Sequence, residues 1–264
     1  MARSPAVRCA PAVIAVLAVL MAACSADPAS TGSSPTGDSA GPSETAEPEP
    51  TDTVFDPDEP MLEGGVGVLS QATDSFVALD GGRYGVRVSD SLLYSVDVPD
   101  SSEVFDGVYL NPRSGALGRD AILWVEVAGK DTALTVDPCH DHTAEVVGPT
   151  VEDLARALSD QPFLTVTRPV GVTVGGMEGL FVKVTVPDDA ELSACQNSVV
   201  FIFADIGKPG GAWAAGDRLG LVDRMWILDV DGARHVLLAR AWQNAGQQAR
   251  AMTRMVESIT FTRR

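Results

Sequence analysis

The chain has 264 residues, 45% of them hydrophobic and 21% charged, with a net charge of −17. These proportions are those of an ordinary globular protein rather than a wholly disordered one. So strong a negative charge, with no basic cluster to offset it, excludes nucleic acid as a partner.

Met1–Arg8 is short and basic, and Cys9–Ala23 is apolar over fifteen residues. A spanning helix needs about 20 apolar residues, so this run has the length of a signal-peptide core. It ends in Leu20-Met21-Ala22-Ala23-Cys24. Two small residues before a cysteine, at the end of an apolar segment, resemble the lipobox of bacterial lipoprotein signal peptides. That resemblance implies removal of residues 1–23 and a diacylglycerol on the Cys24 sulfur. One acyl chain, such as a palmitate, anchors only marginally, whereas the several chains of a processed lipoprotein hold stably. An uncleaved anchor and a secretory signal cut elsewhere are the competing readings.

Apart from Cys24, Val54 and Phe55, residues 24–60 are Ser, Thr, Pro, Gly, Ala and acid, with nine carboxylates and no Lys or Arg. Such a segment buries too little apolar surface to offset its ordering entropy, so it is expected to be a disordered, extended tether. Residues 61–264 remain, enough for one full core. They carry 17 bases and 27 acids, a net of −10. With Cys9 in the leader and Cys24 lipidated, Cys139 and Cys195 are left over. In an exported domain, an even pair reads as one disulfide.

Strands are expected over Ser75–Leu79, Arg83–Val88, Leu92–Pro99, Gly107–Leu110 and Ile122–Gly129. Leu92–Pro99 is the best of them, with Tyr94, Val96 and Val98 on one face. Thr150–Gln161 is the first helix: Thr150 caps it, Asp153 occupies the reciprocal capping position, and Val151, Leu154, Ala155 and Leu158 form a stripe. Pro162 ends it. Leu164–Thr167 and Gly171–Val174 read as strands, and Gly175-Gly176 as a tight turn into Leu180–Pro187. Val199–Ala204 is apolar on both faces, as in a strand covered on both sides. Gly207–Asp217 reads as a glycine-rich loop around Trp213. Arg224–Val230 and Ala233–Trp242 form a hairpin about Asp231-Gly232, a register that sets Asp229 opposite Arg234 as a cross-strand ion pair. Asn244–Ser258 is an amphipathic helix capped by Asn244, followed by a strand over Ile259–Thr262.

Strands, a helix, more strands and a last helix predict one α+β domain, a central antiparallel sheet flanked by helices. Tyr94–Pro99, Trp226–Gly232 and Met255–Phe261 are similar to segments of actinobacterial envelope proteins. The layout over roughly residues 90–264 resembles the Mog/PsbP-like fold of LpqN-type lipoproteins. The resemblance implies a partner-binding domain and transfers no active-site residue.

Cys139-His140-Asp141-His142 is the densest group of possible metal ligands, and two imidazoles, a carboxylate and a thiolate suit zinc. Four ligands are not assembled, however: Cys139 is committed to Cys195, and the remaining histidine, His235, lies in a distant hairpin. An exposed polar turn beside a disulfide is the favoured reading. His235 shares a face with Trp226, Leu228 and Leu237, which suits a partly buried sheet residue more than a base. The loop Gly207–Gly211 lacks the ending of a phosphate loop, though Trp213 could form one wall of a binding surface. Asp229-Val230-Asp231-Gly232 begins like a calcium loop, but Arg240 stands where the twelfth-position Glu belongs. No nucleophile elbow, zinc-protease helix or dinucleotide fingerprint occurs, so no cofactor is expected. The reading is a membrane-anchored extracytoplasmic lipoprotein acting as a binding or accessory module of the cell envelope, held through lipid on Cys24, with an envelope protein or wall component as partner. The alternatives are an envelope hydrolase, or a metal or small-ligand binder using His140 and His142.

Overall fold

The structure is a computed structural model and describes residues 55–56, 61–70, 76–112, 122–126, 132–195, 198–204, 212–216 and 219–264. These belong to the larger of two compact units, Pro48–Arg264. The leader, Cys24 and the tether lie outside the described residues, Phe55 and Asp56 excepted, as do residues 205–211 and the side chains of His142 and Trp213.

The first strands are β1 (Val77–Leu79), β2 (Gly82–Ser89), β3 (Leu92–Val98), β4 (Ser102–Phe105), β5 (Tyr109–Pro112) and β6 (Ile122–Glu126). There follow β7 (Ala133–Asp137), β8 (Asp141–Val146), helix α1 (Val151–Ser159), β9 (Thr165–Val166), β10 (Val170–Val174) and β11 (Met177–Thr185). The chain ends with β12 (Val200–Ala204), β13 (Ala212–Gly216), β14 (Leu221–Val230), β15 (Ala233–Trp242), α2 (Gly246–Glu257) and β16 (Thr260–Arg263).

The hairpin β14–β15 lies at the centre. Asp231 and Gly232 adopt φ of 58° and 79°, the positive angles of a two-residue turn whose twist matches the strands. The Gly232 amide donates to Asp229 Oδ1 at 2.6 Å. Asp229 pairs in register with Arg234, as the turn dictates. Arg234 is 2% exposed, and its Nη1 runs under the start of α1 to donate to the carbonyls of Gly148 and Thr150. Beside the hairpin, β11 approaches β14 closely at Gly179, where a Cβ would stand 2.1 Å from the Ile227 carbonyl. Only glycine fits there.

The hairpin belongs to a nine-stranded antiparallel sheet ordered β1-β4-β5-β6-β15-β14-β11-β10, with β9 also pairing β11. One face packs α1 and a four-stranded sheet, β13-β12-β7-β8, around Leu154, Leu158, Ile202, Phe203, Met225 and Ile227. The other packs α2 and a three-stranded sheet, β16-β3-β2, around Tyr94, Val96, Leu228, Leu237, Met252 and Met255.

This arrangement corrects the expected fold class. The protein is mostly antiparallel β-sheet, with two α-helices among the described residues, and is not an α+β domain with a central sheet flanked by helices. Each face of the main sheet is covered by a second sheet together with one helix. Two misread stretches account for the difference. β7 and β8 went unrecognised, and the expected loop around Trp213 is in part strand β13. With β12 they build a separate sheet, so Val199–Ala204 is central there and not in the main sheet.

Local signals fared better. Thr150 Oγ1 accepts the Asp153 amide and Asp153 Oδ2 accepts the Thr150 amide, the reciprocal box the spacing predicts. Val151, Leu154, Ala155 and Leu158 are all buried. α2 begins one residue later than expected: Ala245 is its N-cap, without a side-chain hydrogen bond, and Asn244 does not cap it. Phe55 and Asp56 pack on the domain: Phe55 bridges Leu69 and stacks on Tyr84, and Asp56 pairs with Arg87 at 3.2 Å.

Candidate functional site

The turn between β7 and β8 is organised by Asp137. Its Oδ1 accepts the amides of Cys139 (2.8 Å) and His140 (3.1 Å), and its Oδ2 lies 3.2 Å from His140 Nδ1. Burial works against the charged carboxylate, but the two amides and the His140 ring hold its pKa below the ordinary value. Cys139 and Cys195 are joined by a disulfide with a Cα–Cα distance of 4.5 Å, and both are buried. The bridge ties the turn to the short 3₁₀ helix Leu192–Ala194. His140 stays largely exposed, edge-on to Phe163, with Nε2 3.3 Å from the Cys139 sulfur. Asp141 Oδ1 accepts the Thr143 amide at 2.9 Å.

The partner of His140 is therefore Asp137, three residues back. Among the described residues, no group of three His, Cys, Asp or Glu side chains is arranged to hold a metal. Trp213 lies in β13 opposite Phe203, which in turn faces Leu134 in β7. The Cys139–His140 turn follows the other end of β7.

His235 faces the second core, as its hairpin position predicts. It is 5% exposed, and its Nδ1 has no hydrogen-bond partner. Burial lowers its pKa, while Asp229 and Asp231 pull the other way. Two clefts flank α1. One, of about 440 Å³, lies between the start of α1, Glu178–Leu180 and the β14–β15 turn, and the buried Arg234 lines it. The other, of about 280 Å³, lies between α1 and the β7–β8 hairpin.

A further constellation is invisible in the sequence. Glu103 pairs with Asn111, Arg240 with Ile122, and Asp223 with Arg240. One step from the pair Leu110–Leu123, Asn111 falls level with Ile122. Glu103, Asn111, Arg240 and Asp223 thus form one row across the nine-stranded sheet. They lie on the face that carries Met225 and Ile227, because Leu110 and Ala239, one residue away, belong to the opposite core. Glu103, Asn111 and Asp223 are 5%, 0% and 2% exposed. Arg240 clasps Asp223 with two hydrogen bonds, Nε–Oδ1 at 2.7 Å and Nη2–Oδ2 at 2.8 Å. Burial pushes the Asp223 carboxyl up, against the pull of Arg240. Asn111 has no hydrogen-bond partner at either amide atom, a condition that costs about 1–3 kcal/mol for each buried group. The available signal was a polar residue among the otherwise apolar inward positions of each strand. It could not be read while the expected hairpin strand began at Arg224 and excluded Asp223.

No protein-family model matches the chain, and no curated protein matches it. A solved structure similar to it is that of LpqN, involved in cell envelope biogenesis of Mycobacterium tuberculosis. The two are 12% identical, and the match covers 71% of this chain and 91% of that one with a TM-score of 0.30. A likeness that low establishes neither a shared fold nor a shared function.

Proposed function

We propose that this protein is a lipid-anchored module on the extracytoplasmic face of the cell membrane, acting by binding a component of the cell envelope. The observation that carries the reading is Ala22-Ala23-Cys24 at the end of the apolar run. The Cys139–Cys195 disulfide supports it, since such bonds persist in oxidising, exported compartments. The acidic domain supports it as well, because a net charge of −10 is repelled by anionic headgroups and suits a domain held off the surface by a tether.

The test is metabolic labelling of the full chain with an alkyne fatty acid in a bacterial host, followed by detergent-phase partitioning. The wild type takes up label and enters the detergent phase; Cys24→Ala does neither. Label that persists in Cys24→Ala, or never reaches the wild type, would sink the assignment. Cross-linking on intact cells then tests binding: the anchored chain should form a discrete adduct, and the absence of any adduct across growth conditions counts against a binding role.

A further inference from the structure

Lys183 of β11 and Arg224 of β14 stand directly opposite each other in register, two cations on one face of the main sheet. They share the face that carries Phe181, Trp226 and Leu237. Cross-strand partners hold their Cβ atoms about 4.5–5.5 Å apart, and like charges so placed destabilise the pairing. Among the described residues neither side chain has a hydrogen bond or an ion pair, and Arg224 Nη1 is buried without a partner. The other buried or half-buried arginines among the described residues are served: Arg83, Arg87 and Arg240 each meet an Asp, and Arg234 donates to two carbonyls. Asp223 does pull on Arg224 through space, but it points to the opposite face, where Arg240 clasps it. Strand alternation sends Glu178 and Asp229 to that opposite face as well. Among the described residues of β10, β11, β14 and β15, no carboxylate therefore lies beside Lys183 and Arg224.

The surroundings limit what such a pair can hold. Lys183 is exposed and Arg224 half-buried, so the pair is open to solvent on one side. Two cations side by side match the charge of a phosphate monoester, about two negative charges near neutral pH, whereas a carboxylate brings one. Arg224 offers forked donors and Lys183 a point charge, a combination that suits phosphate oxygens. Two residues along the same strands, about 7 Å away, Phe181 pairs with Trp226, their ring centroids 5.0 Å apart. Phe181 is half-buried, and Val170, opposite it in β10, is 58% exposed. This apolar step lies within reach of the substituent of a phosphate held at the cations. We propose that Lys183 and Arg224 bind the phosphate of a monoester whose apolar or ring-bearing body rests on Phe181 and Val170. The inference deepens the binding-module reading above by naming a ligand class, and it does not depend on lipid at Cys24.

The test is isothermal titration of the full chain in non-ionic detergent with phenyl phosphate, inorganic phosphate and benzoate as probes. Phenyl phosphate should bind saturably, and the other two more weakly. Lys183→Met should weaken phenyl phosphate by about tenfold or more, the effect expected when one member of a charge pair is removed, and its exposed position leaves the melting temperature unchanged. Arg224→Met should weaken it similarly while keeping or raising the melting temperature, because it relieves the repulsion across the strands. A second arm separates a lipid source from a soluble one: the full chain carrying Cys24→Ala is sedimented with phosphatidylcholine vesicles with and without phosphatidic acid. Capture by phosphatidic acid that Lys183→Met abolishes assigns a lipid headgroup, and binding confined to phenyl phosphate assigns a soluble ester. No binding in either arm overturns the proposal, and so does unchanged affinity in Lys183→Met or equal affinity for phenyl phosphate and benzoate. A discrete adduct on intact cells alongside any of those failures leaves the binding module standing and removes the phosphate ligand alone.

Discussion

Replacing both Cys139 and Cys195 with Ala opens a loop that holds β8, α1 and β9 to β11. The bridged residues are 56 apart, and the chain-entropy relation values a loop of that size at about 4 kcal/mol. Domains of this kind have a total stability of about 5–15 kcal/mol, so the loss is a large share of it. The effect is amplified by position, since Cys139 and Cys195 are 1% and 5% exposed and pack in the same core as α1 and β12. At about 2–4 °C per kcal/mol for a domain of this size, the double variant should melt roughly 8–16 °C below the wild type. Circular dichroism of the full chain in non-ionic detergent reads this directly. Reductant added to the wild type gives the same comparison without removing the sulfur atoms. A fall of less than about 3 °C in both experiments would refute the entropic argument.

Two further predictions use the buried charges. Asp223→Ala leaves the Arg240 guanidinium without the carboxylate it clasps and should cost about 3–5 kcal/mol in urea unfolding, whereas Asp223→Leu with Arg240→Leu should recover most of that loss; equal losses in the two proteins would show that the pair itself stabilises. Burial sets the pKa of His235 below its ordinary 6.5, so the unfolded chain takes up a proton before the folded one. The stability tied to His235 is therefore complete above pH 6.5 and falls as the pH drops through 6.5 towards the lower folded value. His235→Leu should show a flatter fall in melting temperature between pH 7 and 5, and identical slopes in the two proteins would dismiss the effect.

Features that depend only on neighbouring residues were legible before folding was considered. The capping box of α1 and its apolar stripe lie within one helix, and the Asp231-Gly232 turn needs only two residues of positive φ to set the whole register of β14 on β15. Tyr94, Val96 and Val98 declared an inward face by alternation alone. Tertiary structure decided which strands share a sheet. Hydrogen bonding between strands is blind to sequence distance, so nothing local places β12 beside β7 or β6 beside β15, and α2 covers one face of a sheet whose other face carries α1. The candidate sites divide in the same way. Cys139 and Cys195 were legible as an even pair, but Asp137 as the partner of His140 depends on a turn. Glu103, Asn111, Asp223 and Arg240 are scattered over four strands, and each alone resembles a surface residue. Only the pairing of those strands brings them into one row and turns it inward, where the desolvation of polar groups makes the row conspicuous.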